Sequence, residues 1–129
     1  MRHKLAGMLA ALFLVAAWQG ATLAARLHPE SWYQRLWCRK QGGQLEARLP
    51  DDTRCDCLTA THAVEFDFGS KWAEAIGQAL YYSLQTGKRA GIVLILEKET
   101  DYKYWLRLNT TIQHFQLPID TWIMTPENP

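Results

Sequence analysis

Three carboxylates, Asp56, Glu65 and Asp67, fall in one stretch, DCLTATHAVEFDFGSKWAEAIGQALYY, that also carries Lys71, Gln78 and Tyr82. Residues 53–59 and 62–68 alternate in polarity and read as two strands joined at Ala60-Thr61. If that turn is tight, Asp56 faces Glu65 and Arg54 faces Asp67. The opposite strand face then carries Cys55, Cys57, Val64, Phe66 and Phe68. Two carboxylates placed directly across a sheet repel each other unless positive charge sits between them. A divalent cation fits that role. Oxygen-only ligands suit magnesium or manganese, which keep several waters and also bind phosphate oxygens. The competing reading is a solvated polar strand face on which Arg54 and Lys71 neutralise the acids.

A helix over residues 71–86 would set more chemistry beside these acids. Lys71, Ala75, Gln78 and Tyr82 recur at steps of four, three and four, so they share one stripe, with Trp72, Ile76, Ala79 and Ser83 on the next. Ser70 reads as its cap and Gly87 as its stop. A lysine, an amide and a phenol in line beside the acids form a wall suited to a substrate. Packing of helix on sheet with satisfied polar tips explains Gln78 and Tyr82 equally well.

The elements that must hold this unit follow from hydrophobic periodicity. Pro29 opens a helix over 30–40, with Trp32, Leu36 and Trp37 on one side, and Gly42-Gly43 ends it. Residues 44–49 alternate as a first strand, and Pro50-Asp51-Asp52 turns the chain into the second. These three strands make an antiparallel meander. The run GIVLIL over 91–96 is apolar throughout, as in a strand covered on both faces, and its connection through a helix implies parallel pairing. A helix over 100–114 carries Tyr104, Leu108 and Ile112, Pro118 stops it, and 119–124 forms a last strand. The order is αβββαβαβ, an α/β domain with a mixed sheet flanked by helices.

A chain of 129 residues has room for one such core. MRHK followed by an apolar run to about Trp18 and small residues at Ala21, Ala24 and Ala25 has the layout of a secretory signal over 1–24. The mature domain is then 25–129, exported to the periplasm or secreted, with no stable membrane association. An uncleaved anchor helix is the alternative. Cleavage removes Arg2 and Lys4 from 14 Lys and Arg that stand against 13 Asp and Glu, so the domain is close to neutral. Arg39-Lys40 and Lys88-Arg89 are its basic doublets. Nucleic acid as a partner would have only a weak electrostatic footprint, and a strong nonspecific DNA binder is not expected. The sequence sets no oligomeric state.

Three cysteines, Cys38, Cys55 and Cys57, allow one disulfide at most. Cys55 and Cys57 share a strand face and are badly placed to bond each other, which leaves Cys38 to Cys55 or to Cys57, or three buried thiols. A zinc site built on them lacks a fourth ligand.

The element order, an acid on the second strand, an acid on the third and a Gln-x-x-x-Tyr helix after it resemble the PD-(D/E)XK nuclease superfamily, the restriction-endonuclease-like fold, over essentially all of 25–129. The resemblance implies a magnesium- or manganese-dependent nuclease. Asp56 matches the metal-binding aspartate and Glu65 the first acid of the (D/E)-x-K element. Gln78 and Tyr82 match the motif of the branch similar to the exonuclease domains of recombination enzymes. Glu30 or Glu46 matches the variable upstream acid. The pattern departs at Asp67, which stands where the family has its lysine; members relocate that lysine to the following helix, and Lys71 is placed for it. The expected activity is metal-assisted phosphodiester hydrolysis, with Asp56 and Glu65 on the ion, Lys71 on the attacking water and Gln78 and Tyr82 on the substrate backbone. Asp67 adds a ligand or pairs with Arg54, and His62 is a proton shuttle or merely solvated. The alternatives are an exported noncatalytic module on the same scaffold and, behind it, an aromatic-rich binding protein for envelope ligands.

Overall fold

The computed structural model describes residues 25–129; the expected signal over 1–24 lies outside them. Helix α1 (Glu30–Lys40) is followed by strands β1 (Gln44–Arg48), β2 (Arg54–Leu58) and β3 (His62–Phe68). Then come helix α2 (Trp72–Thr86), β4 (Arg89–Ile95), helix α3 (Tyr102–Phe115) and β5 (Ile119–Met124). The five strands form one sheet in sequence order, β1-β2-β3-β4-β5. The first two pairings are antiparallel and the last two parallel. The chain is therefore α/β with a mixed sheet and the expected element order. Among the described residues no helix is long and apolar enough to cross a membrane.

Alternation on the central strands divides the core. Val93 and Ile95 of β4 join Val64, Phe66 and Phe68 of β3 under α1, through Tyr33 and Cys38. Ile92 and Leu94 face the other way, under Ala75 and Ala79 of α2 and Leu108 and Ile112 of α3. Both faces of β4 are covered, which is why its sequence reads as an unbroken apolar run. Each of these fully buried branched side chains contributes roughly 1.5–3 kcal/mol over its exposed state.

The turn between β2 and β3 is as tight as expected. Cys57 pairs with Val64 and Leu58 with Ala63. Thr59 closes the turn: its backbone N–H donates to the His62 carbonyl at 2.9 Å, and its hydroxyl accepts the His62 N–H at 2.9 Å. The disulfide joins Cys38 to Cys57, one of the two expected pairings, and ties α1 to β2 across 19 residues. Gly43 makes room for it, since a Cβ there would sit 2.5 Å from the Cys57 sulfur.

Several local expectations are corrected. Residues Gly69–Lys71 form a turn of 3-10 helix before α2, and the residue ahead of Trp72 is Lys71, so Ser70 does not cap the helix. Gly69 lies close under Tyr104 and Leu96, where a Cβ would come within 3.0 and 3.2 Å of them. Gly87 does end α2, at φ 68°, with its N–H on the Ser83 carbonyl at 2.9 Å. Cys55 and Cys57 both lie buried at alternate positions of β2, as expected of one strand face, but only Cys57 is bonded. Cys55 is a free buried thiol that packs with Leu49 and Ala63, against Leu58 and Tyr82. Arg54 does not face Asp67: it lies exposed and pairs with Glu46 at 3.7 Å, because the β2–β3 ladder stops before reaching it.

Candidate functional site

Where the β2–β3 ladder ends, side chains take over from backbone. The Phe66 N–H, beyond the last paired residue Val64, donates to the Asp56 carboxylate at 2.8 Å. Asp56 thus bridges the strands where they part. Its neighbour in the gap is Glu65, whose carboxyl is close enough to hydrogen-bond that of Asp56 through a proton. Both carboxyls are pushed above the ordinary carboxylate range. Burial is the main cause for each. The negative charge of Asp56 adds to the rise at Glu65, while the Phe66 N–H and the proton from Glu65 oppose it at Asp56. The pair holds a proton at neutral pH.

Two further acids belong to the cluster. Asp67, 6% exposed, is raised to about 7 by burial and by the charge of Glu30, with Lys71 working against the rise. Glu30, in the first turn of α1, is also raised to about 7, by burial and then by Asp56. Of the two upstream acids in question, Glu30 is therefore the one that joins the cluster. Glu46 stands at its margin, exposed and paired with Arg54, and adds a weaker repulsion on Asp56.

Helix α2 supplies the wall. Its packing against β3 lays Gln78 on Glu65, and the amide orientation that satisfies both groups makes the nitrogen a donor to both carboxyl oxygens. Tyr82, one turn on, is half-buried, and its phenol is raised to about 12, by burial and then by the charges of Glu65 and Asp56. Lys71 is exposed. It reaches Glu30 and Asp67 electrostatically without a salt bridge among the described residues. Asp56, Glu65 and Gln78 are thus brought into contact, and Asp67, Glu30 and Tyr82 lie within electrostatic reach of them, with Lys71 at the rim.

His62 is held elsewhere. Its Nε2 lies 2.7 Å from Asp120, its Nδ1 2.7 Å from the Thr61 hydroxyl, and its ring stacks edge-on against Trp122. Asp120 also accepts from Arg89 at 2.9 Å, and these bonds lower its carboxyl to about 2. The ring is neither a proton shuttle to the acids nor simply solvated, because β5 brings Asp120 against it.

Gln34 went unremarked in the sequence and belongs to the site. It is buried on α1 and donates to Glu30 at 2.9 Å. The i,i+4 spacing of Glu30 and Gln34 was the available signal.

The donor set is all oxygen and anionic, as magnesium and manganese require. Among the described residues no three His, Cys, Asp or Glu side chains converge as a ligand group. Magnesium needs only one or two carboxylates, with waters and substrate phosphate completing its shell, so the Asp56–Glu65 pair fits it. No protein-family model, no curated protein and no solved structure matches the chain.

Proposed function

We propose that this chain is an exported, metal-dependent nuclease built on a restriction-endonuclease-like core, hydrolysing phosphodiester bonds of nucleic acid. The observation that carries the reading is the buried Asp56–Glu65 pair at the parting of β2 and β3, with Gln78 laid on it and Tyr82 beside it.

Asp56 and Glu65 would hold magnesium or manganese. Such an ion supplies positive charge against the negative charge that develops on a phosphodiester during hydrolysis. The chain's own groups do the rest. Phe66 N–H and Gln78 fix the two carboxyls, so that their orientation costs nothing at the moment of reaction. Lys71, exposed in the 3-10 turn ahead of α2 and without an ion pair among the described residues, would orient the attacking water and meet the phosphate charge. Tyr82 keeps its proton at neutral pH and donates it in a hydrogen bond to the substrate backbone. Asp67 and Glu30, both near 7, are poised to take up the proton released from water.

The test uses labelled single- and double-stranded DNA and RNA with magnesium or manganese. Metal-dependent cutting is expected, lost in Asp56→Ala and Lys71→Ala. A metal-induced rise in melting temperature is expected in the native chain and not in Asp56→Ala or Glu65→Ala. A second reading, a noncatalytic module on the same scaffold, draws on Asp67 standing where the family has lysine and on the exposure of Lys71. Folded protein that neither cuts nor gains stability from either metal would establish that second reading instead.

A further inference from the structure

Between α1 and β1 lies a cavity of about 270 Å³, lined by Ser31, Gln34, Arg35, Leu45 and Glu46. Two of its walls bear on the acids: Gln34 donates to Glu30, and the charge of Glu46 acts on Asp56. A larger groove, about 340 Å³, runs from Leu96 to Tyr102 and Thr125, and none of its lining residues belongs to the cluster. The smaller cavity therefore lies alongside the proposed scissile site.

Its lining is unusual for a helix-on-strand seam. Gln34 is only 6% exposed, yet just its nitrogen is engaged; among the described residues nothing donates to its oxygen. Every sealed side-chain polar atom among those residues has a partner, so this oxygen is not sealed in, and Gln34 lines the cavity. A half-satisfied buried amide is costly unless a ligand or water completes it. Arg35 presents a guanidinium that forms no ion pair among the described residues. Leu45 gives one apolar wall. Glu46, at φ 46°, sits at a kink in β1 between the paired residues Leu45 and Ala47, which swings it out of the ladder opposite Asp56.

We infer that this cavity binds the single unpaired nucleotide next to the scissile phosphate. The inference rests on the nuclease reading and adds its substrate class, a single-stranded or frayed end. Arg35 and Ser31 suit a phosphate, in the fork geometry guanidinium offers. The free oxygen of Gln34 and the carboxylate of Glu46, whose other contact is the exposed Arg54 at 3.7 Å, accept from the amino groups on a base edge, while Leu45 packs against its face. A base inside a duplex is stacked and paired and cannot enter a concave seam without being drawn out. The volume takes one nucleotide-sized fragment, below the usual range for larger ligands.

The test titrates deoxynucleoside 5′-monophosphates into the full chain with EDTA present, followed by NMR shifts of the Gln34 side-chain amide and of the Ser31, Arg35 and Leu45 backbone amides. Saturable shifts at these positions are expected. Arg35→Ala, an exposed change that spares the core, and Leu45→Trp, which fills the cavity, should each weaken binding at least tenfold. No shifts at these residues would overturn the inference whatever the cleavage assay shows. Equal shifts and affinity for inorganic phosphate would overturn it too, leaving only an anion contact. Nucleotide binding here without cleavage by any metal form would keep the pocket and sink the nuclease reading, so the two failures are distinguishable.

Discussion

Replacing Glu65 by Gln tests the heart of the site without reference to any substrate. The Asp56–Glu65 pair keeps a proton in the folded protein well above the ordinary carboxylate range, because both groups are buried side by side. In the unfolded chain both ionise near their usual values, about 4 to 4.5. Below those values the two states bind the same protons and the pair gives stability no dependence on pH. Above them the unfolded state releases a proton that the folded state retains, so stability falls as pH rises, by about 1.4 kcal/mol per pH unit for one proton. From pH 5 to pH 7 this one proton accounts for a loss of about 3 kcal/mol, to which Asp67 and Glu30, each raised to about 7, add. For a domain of roughly 100 residues that is on the order of 10 °C in melting temperature.

Glu65→Gln has the same shape and can still hydrogen-bond Asp56, but it cannot ionise. Its melting temperature should fall less between pH 5 and pH 7, by one proton's share, with Asp67 and Glu30 keeping the remainder, and at pH 7 it should exceed that of the unaltered chain. The assay is thermal unfolding by circular dichroism across that interval, in EDTA and at constant ionic strength. A flat profile in the unaltered protein, or a slope undiminished by Glu65→Gln, would refute the shared proton; Asp67 and Glu30, both raised to about 7, leave a residual slope in the variant. Either result would also show that the two carboxyls do not lie side by side in the gap.

Two more outcomes follow from other contacts. The Cys38–Cys57 disulfide closes a loop of 19 residues, so Cys38→Ser should lower stability by about 3 kcal/mol, read from urea unfolding, and reductant should lower the unaltered chain comparably. Glu97, with only 4% of its side chain exposed, accepts from the Tyr33 hydroxyl at 2.9 Å and from the Leu27 and His28 amides at 3.0 and 3.2 Å. Glu97→Ala should cost about 3 kcal/mol through the stranded Tyr33 hydroxyl and the lost charge-assisted bonds. Hydrogen exchange at Leu27 and His28 should speed up in that variant; unchanged exchange would mean the segment is held by other contacts.

Much of the architecture was legible because it rests on local pattern. The bounds of α1, β3 and β5 follow from periodicity and punctuation: Pro29 ahead of α1, Gly42 after it, Pro118 before β5. The unbroken apolar run of β4 announced a strand covered on both faces, and the covering helices are there. Strand parity put Asp56 and Glu65 together, since the turn at Ala60-Thr61 admits one register. Helical spacing put Gln78 and Tyr82 beside them.

What escaped the sequence depended on where separate elements meet. Parity alone paired Arg54 with Asp67, but the strands part after Cys57 and Val64, and Arg54 turns to Glu46 instead. The choice of Cys57 over Cys55 for Cys38, and of Glu30 over Glu46 for the cluster, depended on how α1 lies across the sheet. His62 met its partner Asp120 only because β5 pairs beside β4. Periodicity reports which face of an element is apolar. It carries no information on which distant polar group will be waiting there, and burial, which raises the acids of this site, arises only when those elements close over them.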